Sequence, residues 1–173
     1  MSPVTITSPT PSDWERVRDL RLEMLRDTPI AFMETVEAAE ANTEEEWRMR
    51  ANRGSTPDSV QLVAVDGSGT WVGTMSGFVD RAATGGPLLV GVYVSPSARG
   101  AEAGVADALL DAVEEWARGK GGVLTLHVHE ENSRAIAFYR RRGYELTGHS
   151  FPYNLDPSTN ELEMRRDLRR RAS

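Results

Sequence analysis

The chain has 173 residues, 39% of them hydrophobic and 27% charged, with a formal net charge of -6 and no cysteine. That length makes one domain with enough chain to bury a sizeable core. The negative charge argues against a general nucleic-acid binder, which needs a basic face to release counterions from phosphates, and the lack of cysteine excludes disulfides, thiolate zinc sites and an acyl-cysteine intermediate. No apolar run approaches the roughly 20 residues of a membrane span, and MSPVTITSPTPSDW lacks the basic-then-apolar pattern of a leader. A cytoplasmic protein with no membrane partner is the expectation.

Val4-Thr5-Ile6 reads as a short strand closed by the Pro- and Ser-rich turn at 8–12. Ser12 is placed to cap a helix over about 13–26, whose apolar stripe is Trp14, Val17, Leu20, Met24 and Leu25. Residues 29–42 read as irregular or weakly helical after Pro29. Thr43-Glu44-Glu45-Glu46 is a capping box, in which the Thr and Glu side chains satisfy each other's backbone N–H groups, and it opens a second helix to about Arg53. Three strands follow, 60–65, 70–79 and 88–94, the first two joined by the hairpin signal Asp66-Gly67-Ser68-Gly69. The third is almost continuously apolar, which suits a strand covered on both faces.

From Gly104 the period turns helical. Val105, Leu109, Val113 and Trp116 share one face, and Asp107, Asp111, Glu114 and Glu115 lie largely on the other. Gly119-Lys120-Gly121-Gly122 ends that helix. Residues 123–129 alternate as a strand with Thr125, His127 and His129 on one side. A short helix over 132–142 stops at Gly143, and two strands, 144–149 and 162–168, are joined by the loop 150–160. Seven strands and four helices without an internal repeat make a mixed α/β sheet packed with helices, one domain over 1–173.

Two stretches carry chemistry. Residues 96–110, PSARGAEAGVADALL, lead from a strand through a glycine-containing loop into a helix, where free N–H groups and the macrodipole favour an anion. No Walker loop or dinucleotide fingerprint is present, and taken alone the stretch is equally an ordinary strand-to-helix turn. In the second, Asn132, Ala135 and Tyr139 are spaced to share one helical face. A phenol with an ordinary pKa of about 10 can protonate a departing thiolate, and a capped helix with a core tyrosine would show the same pattern.

Taken together and in this order, Val92-Tyr93-Val94-Ser95-Pro96, Arg99-Gly100, Gly104-Val105-Ala106, and Asn132, Ala135 and Tyr139 before Gly143-Tyr144 resemble the GNAT superfamily of acyl-CoA-dependent N-acetyltransferases, bacterial members included. The resemblance runs from about Leu88 to Leu168 and, with less specific motifs, through the N-terminal third. It implies a GNAT-like fold, a central mostly antiparallel seven-stranded sheet flanked by about four helices. It also implies direct transfer of an acetyl group from acetyl-CoA to a primary amine, with no metal; a non-catalytic acyl-CoA-binding or protein-interaction module on the same fold is the alternative. The backbone of the Val92-Tyr93-Val94 strand would pair with the pantetheine arm like an added half-strand. The N–H groups of the loop, Arg99, Gly100, Ala101, Ala103, Gly104, Val105 and Ala106, would hold the pyrophosphate. Asn132 would bond the pantetheine beside Ala135, Tyr139 would be the general acid, and Arg141 or Arg142 would reach the nucleotide 3′-phosphate. A monomer or homodimer is expected.

The family's loop pattern, [RQ]-x-x-G-x-[GA], fits no single frame here. Starting at Arg99 places Glu102 in the first glycine position. Starting at Ala101 gives Gly104 and Ala106 correctly but loses the Arg or Gln. The second frame is preferred, with two residues inserted and Glu102 facing water. The fourth strand has no acid where many relatives carry a glutamate, so His129 and Glu130, at the end of the fifth strand, are the candidates for the base by position, with deprotonation by water alone as the alternative. Phe32 and Tyr153 are candidates for the acceptor pocket, and the net negative charge favours a cationic acceptor.

Overall fold

The computed structural model describes residues 3–82, 85–100 and 102–169. In chain order it forms β1 (Thr5–Thr7), α1 (Trp14–Asp27), α2 (Val36–Glu40), α3 (Glu44–Ala51), β2 (Ser59–Val65), β3 (Trp71–Asp80) and β4 (Gly86–Val94). There follow α4 (Val105–Arg118), β5 (Val123–His129), α5 (Ser133–Arg141), β6 (Glu145–Tyr153) and β7 (Asp156–Asp167). The seven strands make one mixed sheet in the order β1-β2-β3-β4-β5-β7-β6. Every pairing is antiparallel except β4 with β5.

Local chemistry sets the helix ends. The Thr43 hydroxyl accepts the Glu46 N–H at 3.2 Å while the Glu46 carboxylate accepts the Thr43 N–H at 2.6 Å, the expected capping box. At α1 the expectation shifts: residues 11–13 form a single 3₁₀ turn before the helix, and Thr10, not Ser12, bonds back to Asp13 through its N–H at 2.9 Å. The segment read as irregular contains a fifth, five-residue helix, α2, capped by the Thr35 hydroxyl accepting the Ala38 N–H at 3.1 Å. The loop expected at 150–160 is mostly strand. Pro152 and Pro157 hide the pattern, but Pro152 is on the edge strand β6, where the N–H that proline lacks has a ladder on one side only. Pro157 is the second residue of β7, before its pairing with β5 begins at Glu161.

Helices cover the sheet on both faces. The apolar stripe of α4 (Val105, Leu109, Leu110, Val113, Ala117) packs with Met75, Leu89, Leu124, Leu126 and Met164 on one side. Leu20, Met24, Leu25 and Trp47 of α1 and α3 pack with Val63 and Tyr93 on the other. Removal of one such fully buried leucine costs about 2–5 kcal/mol in cores of this kind.

β4 is the strand that shapes the site. β5 pairs with it only at Leu88 and Leu89. Beyond that point β4 bulges: Val90 faces Ser76 and Tyr93 faces Thr74, so Gly91 and Val92 stand opposite Met75 alone. Gly91 has φ 61, a left-handed conformation that costs a residue with a β-carbon about 1–2 kcal/mol. The bulge turns the end of β4 away from β5, and the sheet opens into a V.

Candidate active site

The V is a cleft of 390 Å³, with one wall from Val92, Tyr93 and Val94 of β4 and the other from Asn132, Ala135 and Tyr139 of α5. Phe32 closes one end, and Arg99, Gly100 and Ala106 border the other. Because β5 has already departed, the β4 edge here carries no neighbouring strand, and its polar backbone is available to an extended ligand.

At the mouth, α4 begins after Gly104, which adopts φ 67 and has no side-chain cap. The first intrahelical bond runs from the Ala108 N–H to the Gly104 carbonyl at 2.9 Å. The N–H groups of Val105, Ala106 and Asp107 therefore precede the ladder, with the positive end of the helix dipole behind them. Glu102 is exposed, and the Ala103 N–H bonds the Gly100 carbonyl at 3.2 Å. The Val105 side chain is buried in the core, so only its backbone can serve a ligand. Ala101 lies outside the described residues.

The α5 wall carries two polar groups. The Asn132 Oδ1 caps the helix by accepting the Ala135 N–H at 3.3 Å, which leaves its Nδ2 to donate into the cleft. Tyr139 is buried among Phe138 and Tyr144, with ring centroids 5.4 and 5.8 Å away. Its hydroxyl has no hydrogen-bond partner among the described residues, and burial raises its pKa well above the ordinary phenol range, so it holds its proton.

A family comparison settles what this arrangement belongs to: the model of the acetyltransferase (GNAT) family matches residues 14–144. The chain belongs to the GNAT family. No curated protein sequence matches it. Among solved structures it resembles a GNAT acetyltransferase from Streptococcus pneumoniae (TM-score 0.77, 18% identity, 94% of this chain and 98% of that one). It also resembles a putative acetyltransferase from Salmonella typhimurium solved with acetyl-CoA (TM-score 0.75, 19% identity, 99% and 98%). A third is a phosphinothricin acetyltransferase from Sinorhizobium meliloti in complex with acetyl-CoA (TM-score 0.74, 22% identity, 97% and 89%). The seven-stranded sheet with its parallel β4–β5 splay is the GNAT fold.

Within this GNAT site, some of the residues singled out by sequence hold other partners. Arg99 folds back, its Nε donating to the Val94 carbonyl at 2.9 Å and its Nη2 pairing with Asp27. The Arg99 hydrogen bond also holds the Asp27 carboxyl below its usual range, burial opposing. Tyr93 directs its ring toward α1 and its hydroxyl donates to the same Asp27 at 3.2 Å; burial, then Glu23, pushes this phenol up as well. Arg141 borders the cleft but is paired with Asp107 at 3.1 Å. Phe32 and Tyr153 do come together, the Tyr153 hydroxyl donating to the Phe32 carbonyl at 2.9 Å. That bond ties the 28–32 turn across to β6.

Neither of the two candidates for the base lines the cleft, and nor does His127 beside them on β5. His129 is buried with both ring nitrogens engaged: Nδ1 accepts the Glu131 N–H at 3.1 Å, so Nε2 carries the proton and donates to the Thr159 hydroxyl at 3.0 Å. The Glu130 carboxylate accepts the Asn160 N–H at 3.0 Å. His127, two residues earlier and on the same side of β5, is different. Its Nε2 lies 3.2 Å from Glu163. Burial works against ionisation of Glu163, but hydrogen bonds from Thr147 and His127 hold its carboxyl below the usual range. An ionised carboxylate only accepts, so Nε2 carries the His127 proton and Nδ1 presents a lone pair. His127 is the first residue of β5 past its last pairing with β4. Sequence spacing put it on the face of His129; only the pairing register and Glu163, 36 positions on, distinguish the two.

Sequence reasoning also passed over Arg134. It borders the cleft in the first turn of α5 and has no ion pair among the described residues.

Proposed function

We propose that the protein transfers an acetyl group from acetyl-CoA directly to a primary amine, both substrates being bound at once. The observation that carries this reading is the cleft itself: an unpaired β4 edge, an uncapped α4 N-terminus and an unpartnered phenol face one space in a GNAT chain. The fit of acetyl-CoA rests on those groups, and when bound it supplies an acetyl thioester activated for attack by nitrogen. The N–H groups of Val105, Ala106 and Asp107 and the Arg134 guanidinium suit its phosphates. The Nδ2 of Asn132 donates to the pantetheine, and the β4 edge at Val92 and Val94 orients it. Arg99 leaves the Val94 carbonyl when that edge is used.

Tyr139 holds the proton that the leaving sulfur takes up. A phenol raised by burial is a weak acid, but the same dry wall disfavours a bare thiolate, so both partners of the transfer shift together. An amine acceptor with a lysine-like pKa of about 10.4 must lose a proton before attack. That proton passes by way of water, since His127 does not border the cleft, to Nδ1 of His127, with Glu163 stabilising the imidazolium formed.

The test is incubation with acetyl-CoA and an amine panel, read by thiol release and by mass spectrometry. Acetylated amine with intersecting double-reciprocal lines is the expected result. Parallel lines would overturn direct transfer, and acetyl-CoA binding without thiol release for any amine would mark a binding module.

A further inference from the structure

A second cavity, of 460 Å³, lies on the α1–α3 face of the sheet. Its floor is Gln61 of β2, Ser76 of β3 and Val90 of β4, side by side in the strand register. Its charged lining is entirely arginine: Arg21 of α1, Arg50 of α3 and Arg53 of the following turn. Arg21 and Arg50 share one carboxylate, that of Glu34, with contacts of 2.8 and 2.5 Å. Burial works against ionisation of Glu34, but those two guanidiniums hold its carboxyl below the usual range. Each arginine also lies over an aromatic ring, Phe32 at 5.1 Å and Trp47 at 4.9 Å, which fixes its plane. The single Glu34 charge is thus already spent between two cations.

Arg53 is the third, and it has no ion pair among the described residues. Burial first, then the adjacent Arg50 and Arg21 charges, hold its guanidinium below its ordinary pKa, with Glu34 acting the other way. The turn carrying it is seated on the floor: a β-carbon on Gly54 would come within 2.7 Å of the Gln61 backbone nitrogen.

We propose that this cavity takes a carboxylate of the acceptor, so that the substrate is an amine that also carries an acid group, such as an amino acid. The inference rests on the acetyl-transfer reading above. The cavity ends on β4 at Val90 and Gly91, and the cleft begins on the same strand at Val92. An acid held by Arg53 therefore delivers the rest of its molecule to the bulge where the sheet opens. Overall charge points the other way, because a molecule of net charge -6 favours a cationic acceptor at long range. Inside the cavity the near field decides: the Debye length is about 8 Å at physiological ionic strength, and the nearest charges are three guanidiniums against one carboxylate.

The experiment compares free amino acids with their α-carboxamides and with diamines, in turnover and, separately, in calorimetric binding of the N-acetylated acids and amides to the protein. The acid of a matched pair is expected to have a kcat/KM roughly 10- to 100-fold above its amide, the size of one charge-assisted hydrogen bond. The ratio should fall toward one in Arg53→Gln and stand between in Arg53→Lys, with an unchanged melting temperature confirming the fold. Amides or diamines that match the acids, or a preference that survives Arg53→Gln, would overturn the proposal. If no amine turns over, the acetyl-transfer reading fails while calorimetry still decides this one. Acid binding that needs Arg53 supports it, and equal or absent binding of acid and amide overturns it.

Discussion

On the α4–α5 face, Arg142 meets Asp107 at 2.9 Å and both Asp111 and Glu114 at 2.6 Å, and Arg166 adds a 3.0 Å bond to the same buried Glu114. On the α1–α3 face, Arg21 and Arg50 divide one Glu34 and Arg53 has no partner among the described residues. The first network closes on itself and joins α5 to α4, which holds Asn132 and Tyr139 against the β4 edge. The second is left open toward a cavity. A closed set of charges positions elements; a set with surplus charge of one sign beside a concavity is where the proposed acid would bind. Variants at five positions test this division between scaffold and site, in falling order of effect.

Tyr139→Phe removes only an oxygen from the α5 wall. Turnover should fall by about 10²–10⁴-fold, the range of a general acid, while acetyl-CoA still raises the melting temperature as in the parent protein. Unchanged turnover would remove Tyr139 from that role and make the wall purely a scaffold. Arg142→Ala attacks the closed network instead. Glu114 is 2% exposed and Arg142 13%, but Glu114 keeps Arg166 and Asp107 keeps Arg141, so the loss should cost about 1–3 kcal/mol in denaturant unfolding, below the figure for a buried carboxylate left with no partner. A pH signature accompanies it. Burial raises the Asp107 pKa, but hydrogen bonds from Arg142 and Arg141 outweigh burial and leave it lowered. Its contribution is present above the ordinary carboxylate pKa and is lost as pH falls through the depressed value. The acid limb of the stability profile should therefore be shallower in Arg142→Ala; an identical limb would show that the pair contributes nothing to it.

His127→Gln keeps a hydrogen bond to Glu163 and removes the lone pair offered by Nδ1. We expect a kcat lower by roughly 10²-fold with little change in acetyl-CoA affinity. An unchanged kcat would return the base to solvent. His129→Gln, by contrast, should act on stability, since both nitrogens of that ring are committed to Glu131 and Thr159.

The same division decides what could be read from sequence. Asn132, Ala135 and Tyr139 follow a helical repeat, and Gly104 precedes an amphipathic run, so that wall of the cleft is written in local spacing. The strands showed in the same way, apart from β6 and β7, whose prolines mask the hairpin. The arginine cavity draws on positions 21, 34, 50, 53 and 61, from two helices, a turn, a loop and a strand, with no period linking them. Net charge favours a cationic acceptor, the opposite of what that cavity is proposed to take. Likewise nothing local separates His127 from His129; their roles differ because β7 places Glu163 beside one and β5 loses β4 just before it.

The smallest effect belongs to a residue that serves both scaffold and site. Asn132 caps α5 with Oδ1 and offers Nδ2 to the cleft, and the two jobs separate by substitution. Asn132→Ala loses both: the missing cap costs about 0.5–2 kcal/mol, toward the low end because the bond to the Ala135 N–H is 3.3 Å long. Asn132→Asp keeps the cap oxygen and adds a negative charge at the positive end of the helix dipole. Its melting temperature should match or exceed that of the parent, and its affinity for acetyl-CoA should drop as far as in the alanine variant. Should Asp retain parental affinity, the amide donor is not used, and Asn132 belongs with Arg142 as a residue that only holds α5 in place.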